Sequence, residues 1–189
     1  MSDDVLKDFL DDAKGRMQRS VDATKTEFAT VRTGRASPHL LDRIEVDYYG
    51  AVTPLRQLSQ ISASEARLLT ITPYDKNSIK AIEKSILESD VGLTPSNDGQ
   101  VIRLSIPELT EERRKELAKL CGQYAEKARI AVRNVRRDGM DHLKTDEKKH
   151  EISEDERKRL EQEVQKLTDD TIKDIDTAAF SKEQEILGK

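Results

Sequence analysis

With 189 residues, 35% apolar, 37% charged and a formal net charge of -4, the chain has room for one or two domains but favours slender helical packing over a thick globule. Cys121 is the only cysteine, which excludes an internal disulfide and a multi-cysteine zinc site. No apolar run approaches the roughly 20 residues of a membrane span, and the start MSDDVLKDFLDD is acidic where a secretion signal is basic, so the cytoplasm is the expected compartment and no membrane partner is expected.

Residues 3 to about 31 carry Val5, Phe9, Ala13, Met17, Val21, Thr24, Phe28 and Val31 at intervals of three or four, the period of a helix with one packing face. Leu6 and Leu10 widen that face near its start. Such a helix cannot bury its stripe alone, and no partner of similar length occurs before residue 110. Between them the pattern changes. Thr33-Gly34-Arg35-Ala36 interrupts the helix, and Ser37-Pro38 supplies an N-cap and a first-turn proline for a short helix from His39 to Asp42. Arg43 to Tyr49 alternates as a strand, with sheet packing the plainer role for Tyr48 and Tyr49. Gly50 permits a turn, and Thr53-Pro54-Leu55 reads as another. Arg67 to Thr72 is a stronger strand. Asp75 caps a helix from Lys76 to about Glu88 with Ile79, Ile82, Ile86 and Leu87 inward. Thr94 to Gly99 reads as a loop, and Val101 to Ile106 as a strand stopped by Pro107.

From Thr110 to about His150 a second long helix carries two faces. At about 100° per residue from Leu117, the residues Leu120, Cys121, Tyr124, Ala128, Ala131 and Val135 fall within about 60° of it and form a packing stripe. Arg136, Arg129, Arg133 and Arg137 fall at about 100°, 120°, 160° and 200°, and from Lys127 to Arg137 there are five basic residues and no acidic one. A helix from Glu111 to Lys148 is roughly 57 Å long, so it needs long partners. Gly139 inside it costs about 1 kcal/mol against alanine and puts its straightness in question. After Ile152, Ser153 and Glu156 have the spacing of a capping box, and Leu160, Val164, Leu167, Thr171, Ile175 and Ala178 continue a helical period.

These elements predict an α+β chain: an elongated antiparallel three-helix bundle, residues 1–31 and 107–189, with an inserted small β/α/β domain, residues 32–106. Two crossings join them, at Thr33, Gly34, Arg35 and Ala36 and at Ser105, Ile106, Pro107 and Glu108. Neither is a long Gly/Ser linker, so a hinge of restricted swing is expected.

Residues 151–189 hold 12 acidic and 7 basic side chains, whereas 127–137 has a net charge of +5. Local potential matters more than the total for a polyanion that touches one face. Arginine bridges phosphate oxygens with two donors, which makes Arg129, Arg133, Arg136 and Arg137 candidate nucleic-acid contacts. Spacing alone leaves two other readings open, a solvated rim paired with acidic neighbours and a protein partner. Arg32 and Arg35, beside the first crossing, present the same choice between RNA and local pairing. Catalytic readings fail on context. His39, His142 and His150 form no short metal motif, Cys121 lies in the packing stripe, and Glu154, Asp155 and Glu156 sit where acids complement the free amides of a helix start. No phosphate-cradling G-x-x-x-x-G-K-[ST] occurs. The expectation is a protein that is not an enzyme and needs no cofactor.

The segments VRTGRASPHLLDRIEVDYYG, TPLRQLSQIS, LTEERRKELAK, ARIAVRNVRRDGMDHLK and EISEDERKRLEQEVQKLTDDTIKDID together resemble the bacterial ribosome recycling factor family. The resemblance spans nearly the whole chain and implies an L-shaped arrangement of bundle and inserted domain. It further implies action with elongation factor G, and GTP hydrolysis by that factor, to split the post-termination ribosome so that messenger and transfer RNA are reused. The implied partners are the 70S ribosome, mainly its large-subunit RNA, and elongation factor G, met by a monomer. By resemblance Arg133 is the leading RNA contact, Arg129 flanks it, and Arg32 and Arg35 belong to the segment beside the hinge. A passive RNA-binding adaptor could use the same arginines without interdomain motion.

Overall fold

The first helix, α1 (Asp3–Ala29), buries Leu6, Ala13, Met17, Val21, Thr24 and Phe28 along one side, and the structure, a computed structural model, describes residues 3–188. Val5, expected on that side, is 47% exposed. It lies about 120° from the centre of the buried stripe, whereas Leu6 lies about 20° from it. The buried Thr24 hydroxyl donates to the Ser20 carbonyl oxygen at 2.9 Å, so its polarity is satisfied within the helix. The chain divides into two compact units, Met1–Arg32 with Glu111–Lys189, and Thr33–Thr110.

The second unit opens with a 3-10 turn, Pro38–Leu41, capped by the Ser37 hydroxyl. Strands β1 (Glu45–Tyr48) and β2 (Ala51–Pro54) form a hairpin. Its two turn residues, Tyr49 and Gly50, both have positive φ, 51° and 81°, as a tight hairpin turn requires. A single helical turn, α2 (Leu55–Leu58), leads into β3 (Ser59–Glu65) and β4 (Leu68–Pro73). Asp75 then caps a 3-10 turn that runs into α3 (Ile79–Glu88). With β5 (Pro95–Asn97) and β6 (Ile102–Ser105) the sheet is antiparallel in the order β3-β4-β6-β5. Leu69 pairs with Leu104 and Ile71 with Ile102. All four join Ile79, Ile82 and Ile86 of α3 in one buried core.

Strands β2 and β5 lie where a turn and a loop were expected, β3 occupies residues to which the pattern assigned no element, and each has a physical reason for being hard to read. β2 is exposed along most of its length. β3 and β5 are the sheet edges, β3 burying only Ser59 and β5 only three residues long and begun by proline. Edge strands carry little of the apolar alternation that marks a central one. Leu87 was expected inward and is 60% exposed, because it sits about 100° around α3 from Ile86.

In the helical unit, α4 (Glu111–Lys148) runs unbroken, and α5 (Glu154–Leu187) follows a short turn. Lys127 meets Glu27 and Arg16 meets Asp138, so α4 runs antiparallel to α1. Arg129 meets Asp176 and Arg157 meets Glu147, so it runs antiparallel to α5 as well. Leu6, Leu143, Ile152 and Leu160 close one end of the seam, with Phe9 packed on them. The start of α5 is held by the expected box. Ser153 N–H donates to Glu156 Oε2 at 2.7 Å and Glu156 N–H to Ser153 Oγ at 3.1 Å, and the first of these holds the Glu156 carboxyl below its ordinary range. Among the described residues no helix is long and apolar enough to cross a membrane.

Gly139 does not interrupt α4. It is buried where the three helices meet, and a methyl group there would reach Phe9 Cζ at 3.5 Å and Val164 Cγ1 at 3.7 Å, ordinary contact distances. Gly139→Ala should therefore keep the gain in helix propensity and raise stability by up to about 1 kcal/mol in denaturant unfolding. A loss of stability would mean that the helices close on that glycine more tightly than these distances allow.

Candidate nucleic-acid interface

Two neighbours define which side chains of α4 are free. On one rim, Lys127 Nζ donates to Glu27 Oε1 of α1 at 3.1 Å and Arg16 Nη2 of α1 to Asp138 Oδ2 at 2.9 Å. On the other, Arg129 Nε donates to Asp176 Oδ1 of α5 at 2.8 Å and Arg136 Nε to Gln165 Oε1 of α5 at 2.6 Å. Measured around the helix from Leu117, the α1 rim lies near about 280–300° and the α5 rim near about 100–120°. Between them the arc from about 160° to about 260° carries Glu126, Ile130, Arg133, Asn134 and Arg137, all exposed.

The buried residues Leu117, Cys121, Ala125, Ala128, Val132, Val135 and Gly139 centre near about 40° rather than on Leu117. Leu120, Tyr124 and Ala131 are consequently only half-buried. That rotation toward α5 separates the four candidate arginines into two kinds. Arg129 keeps 25% of its side chain exposed and is gripped by Asp176 at 2.7 Å and Glu126 at 3.1 Å. The Asp176 hydrogen bond, followed by that from Glu126, raises its already high pKa. Arg136 is half-buried on Gln165. Arg133, by contrast, is 52% exposed and meets only Glu126, at 3.5 Å, and Arg137 is exposed and meets no acid among the described residues. One turn apart, about 6 Å along the axis, these two guanidinium groups present forked donors to an external anion.

Of the candidates near the crossings, Arg32 and Arg35 are both exposed. Ser105 lies at the end of β6, where it pairs with Leu68. Ala36 N–H donates to the Ala66 carbonyl at 2.7 Å and Ile106 N–H to the Arg67 carbonyl at 2.8 Å. Arg67 also pairs with Glu108 at 2.9 Å. Gly34, at φ +75°, sits against Leu109, whose Cγ would be 3.1 Å from an added Cβ. Thr33 is half-buried and Pro107 exposed.

No group of three or more His, Cys, Asp or Glu able to hold a metal ion occurs among the described residues. Cys121 is buried, and that burial pushes its thiol pKa up, away from the thiolate that nucleophilic chemistry needs. His142 stacks on Phe9 at 5.5 Å and pairs with the buried Asp146 at 3.3 Å, a packed helix-end contact.

A sequence profile described as ribosome recycling factor matches residues 24–187. The ribosome-recycling factor of Zymomonas mobilis is 59% identical over 178 residues, covering 94% of this chain and 96% of its own. That of Bacillus subtilis is 55% identical over 183 residues, covering 97% and 99%. A solution structure of a ribosome recycling factor superposes with a TM-score of 0.75 at 42% identity, covering 97% of this chain and 98% of that one. A further match, with a TM-score of 0.63 at 48% identity and coverage of 97% and 99%, comes from models of the T. thermophilus ribosome recycling factor and the E. coli elongation factor G bound to the E. coli post-termination complex.

Because Arg129 stitches α4 to α5 and Arg137 meets no acid among the described residues, their removal should separate in a folding measurement. Arg129→Ala is expected to lower unfolding stability by roughly 0.5–1 kcal/mol, and Arg137→Ala to leave it within a few tenths, about the reproducibility of a denaturant midpoint. Equal losses would show that the two arginines are not differently employed.

Proposed function

Because this chain belongs to the ribosome recycling factor family, we propose that it works with elongation factor G to split the post-termination ribosome, holding ribosomal RNA through the outward face of α4. On this reading Arg133 and Arg137 take phosphate oxygens of ribosomal RNA, mainly of the large subunit. Arg129 and Arg136 keep the face flat by tying α4 to α5, and Arg129 reaches RNA only by sharing its carboxylate partners. Arg32 and Arg35 add peripheral contacts beside the crossings. The chain is not itself an enzyme; GTP is hydrolysed by the elongation factor, and this protein acts as a single soluble copy that transmits force.

What supports the reading is the contrast on one helix between arginines committed to α5 and arginines left open. Arg137 is available to a polyanion without first breaking an ion pair, and Arg133 gives up only an exposed 3.5 Å contact with Glu126. The second unit supplies the other half of the action. Ala36, Ser105 and Ile106 are bound into that unit by backbone hydrogen bonds, so we place the pivot in the residues outside them, Thr33 to Arg35 and Pro107 to Glu108. Motion imposed on the small unit by elongation factor G would then strain the subunit contacts while RNA holds the bundle.

Binding and splitting are separable and should be measured apart. Arg133→Ala is expected to weaken ribosome binding roughly tenfold at physiological salt and to reduce the slope of log affinity against log salt by about one. A disulfide that locks the crossings is expected to leave binding intact while abolishing the light-scattering change of subunit dissociation with elongation factor G and GTP. Normal splitting by both folded variants would reject the division of labour. Binding without splitting by the unaltered chain would instead describe a passive adaptor.

A further inference from the structure

Helices α1 and α4 do not close over each other along their whole length. Small side chains, Ser20 and Ala23 of α1 and Ala131 of α4, face one another there and leave an open groove of about 470 Å³. Its α1 wall is basic. Arg16 is already committed to Asp138 at 2.9 Å, but Arg19 is exposed and meets no acid among the described residues. Its α4 wall presents Asn134, exposed and without a hydrogen-bond partner among the described residues, an amide that offers both donor and acceptor. Beyond Arg16 and Val135 the groove passes into a smaller hollow of about 240 Å³ whose walls carry Asp12 and Asp138, so the basic stretch has a defined end.

Asn134 lies about 60° around α4 from Arg137, on the side toward α1. A strand laid on the Arg133 and Arg137 face and continued in that direction therefore meets Asn134 and then Arg19. We propose that the α1–α4 groove takes a second stretch of ribosomal RNA, a phosphodiester on the Arg19 guanidinium with the adjoining ribose or base edge at Asn134. The inference rests on the reading that the α4 face holds ribosomal RNA, and it widens that contact from one helix to two. A protein partner fits less well. The groove floor is alanine and valine with no deep apolar or aromatic pocket for an anchoring side chain, while a free guanidinium beside a free amide is the pairing that phosphate and nucleoside edges use.

The probe is the purified large ribosomal subunit, with affinity measured across a salt series. Arg19→Ala should weaken binding roughly fivefold and lower the salt slope by about one, and Asn134→Ala should weaken it with the slope unchanged. Ala23→Phe, which fills the groove without altering charge, should also weaken binding. Lys25→Ala, about 180° around α1 from Arg16, should not. Circular dichroism melts establish that each variant is folded. If Arg19→Ala and Ala23→Phe bind like the unaltered chain while Arg133→Ala does not, the groove proposal falls and the α4 reading stands. If Arg133→Ala also binds normally, both fall. Unchanged subunit affinity with slowed splitting in Arg19→Ala would overturn the RNA assignment in favour of a protein contact.

Discussion

The seam along which α4 lies between α1 and α5 is the constraint on which everything functional in this molecule depends. A long helix with a net positive middle is, by itself, a cylinder of charge with no preferred direction. Docking against two neighbours removes that ambiguity. Asp176 and Gln165 draw Arg129 and Arg136 to one side, Glu27 draws Lys127 to the other, and the exposed arc between them carries Arg133 and Arg137, with Glu126 beside Arg133. The same docking brings Arg16, Arg19 and Asn134 to one groove, although Asn134 lies more than a hundred residues along the chain from the two arginines.

The acidic surplus of α5 therefore has a structural use beyond lowering net charge. Asp176 pairs with Arg129 on one rim of α4, and the Glu147, Arg157 and Glu161 cluster ties the helix ends together, with the Arg157 side chain only 18% exposed. Each exposed pair is worth little alone. Together with the Arg136–Gln165 contact, they draw Arg129 and Arg136 toward α5 and leave Arg133 and Arg137 on the exposed arc. In the small unit a single carboxylate serves two ends. Asp75 caps the turn into α3 through Asn77 N–H at 2.9 Å and accepts the Tyr48 hydroxyl at 2.9 Å, joining the β1–β2 hairpin to the sheet core.

Much of this was legible in the residues because helices announce themselves by period. The bounds of α4, the Ser153 and Glu156 box and the caps at Ser37 and Asp75 follow from local chemistry that tertiary context does not override. What could not be read was whatever depends on a neighbour. Strands β2, β3 and β5 take their structure from partners rather than from an apolar alternation of their own. The arginines were legible as a cluster, but not their division into held and open. A wheel centred on Leu117 places Arg129 and Arg136 near the edge of the free face, and only the rotation of the buried stripe toward α5, caused by Ala125 and Val132 turning inward, moves them into the rim. The α1–α4 groove was invisible for a related reason. Arg16 and Arg19 belong to no segment singled out in the sequence, Asn134 is an uncharged neighbour within the arginine cluster, and the small residues that open the space look in sequence like ordinary helix formers.

The central claim is that Arg133 and Arg137 stand open on the free protein and become covered by RNA. Arginine-selective modification with phenylglyoxal, read site by site by mass spectrometry in the free chain and in its complex with the large ribosomal subunit, tests this directly. The account predicts fast reaction of Arg133 and Arg137 in the free chain, strong protection of both in the complex, and slow reaction of Arg129 and Arg136 in either state. Undiminished reactivity of Arg133 and Arg137 in a fully formed complex would contradict it.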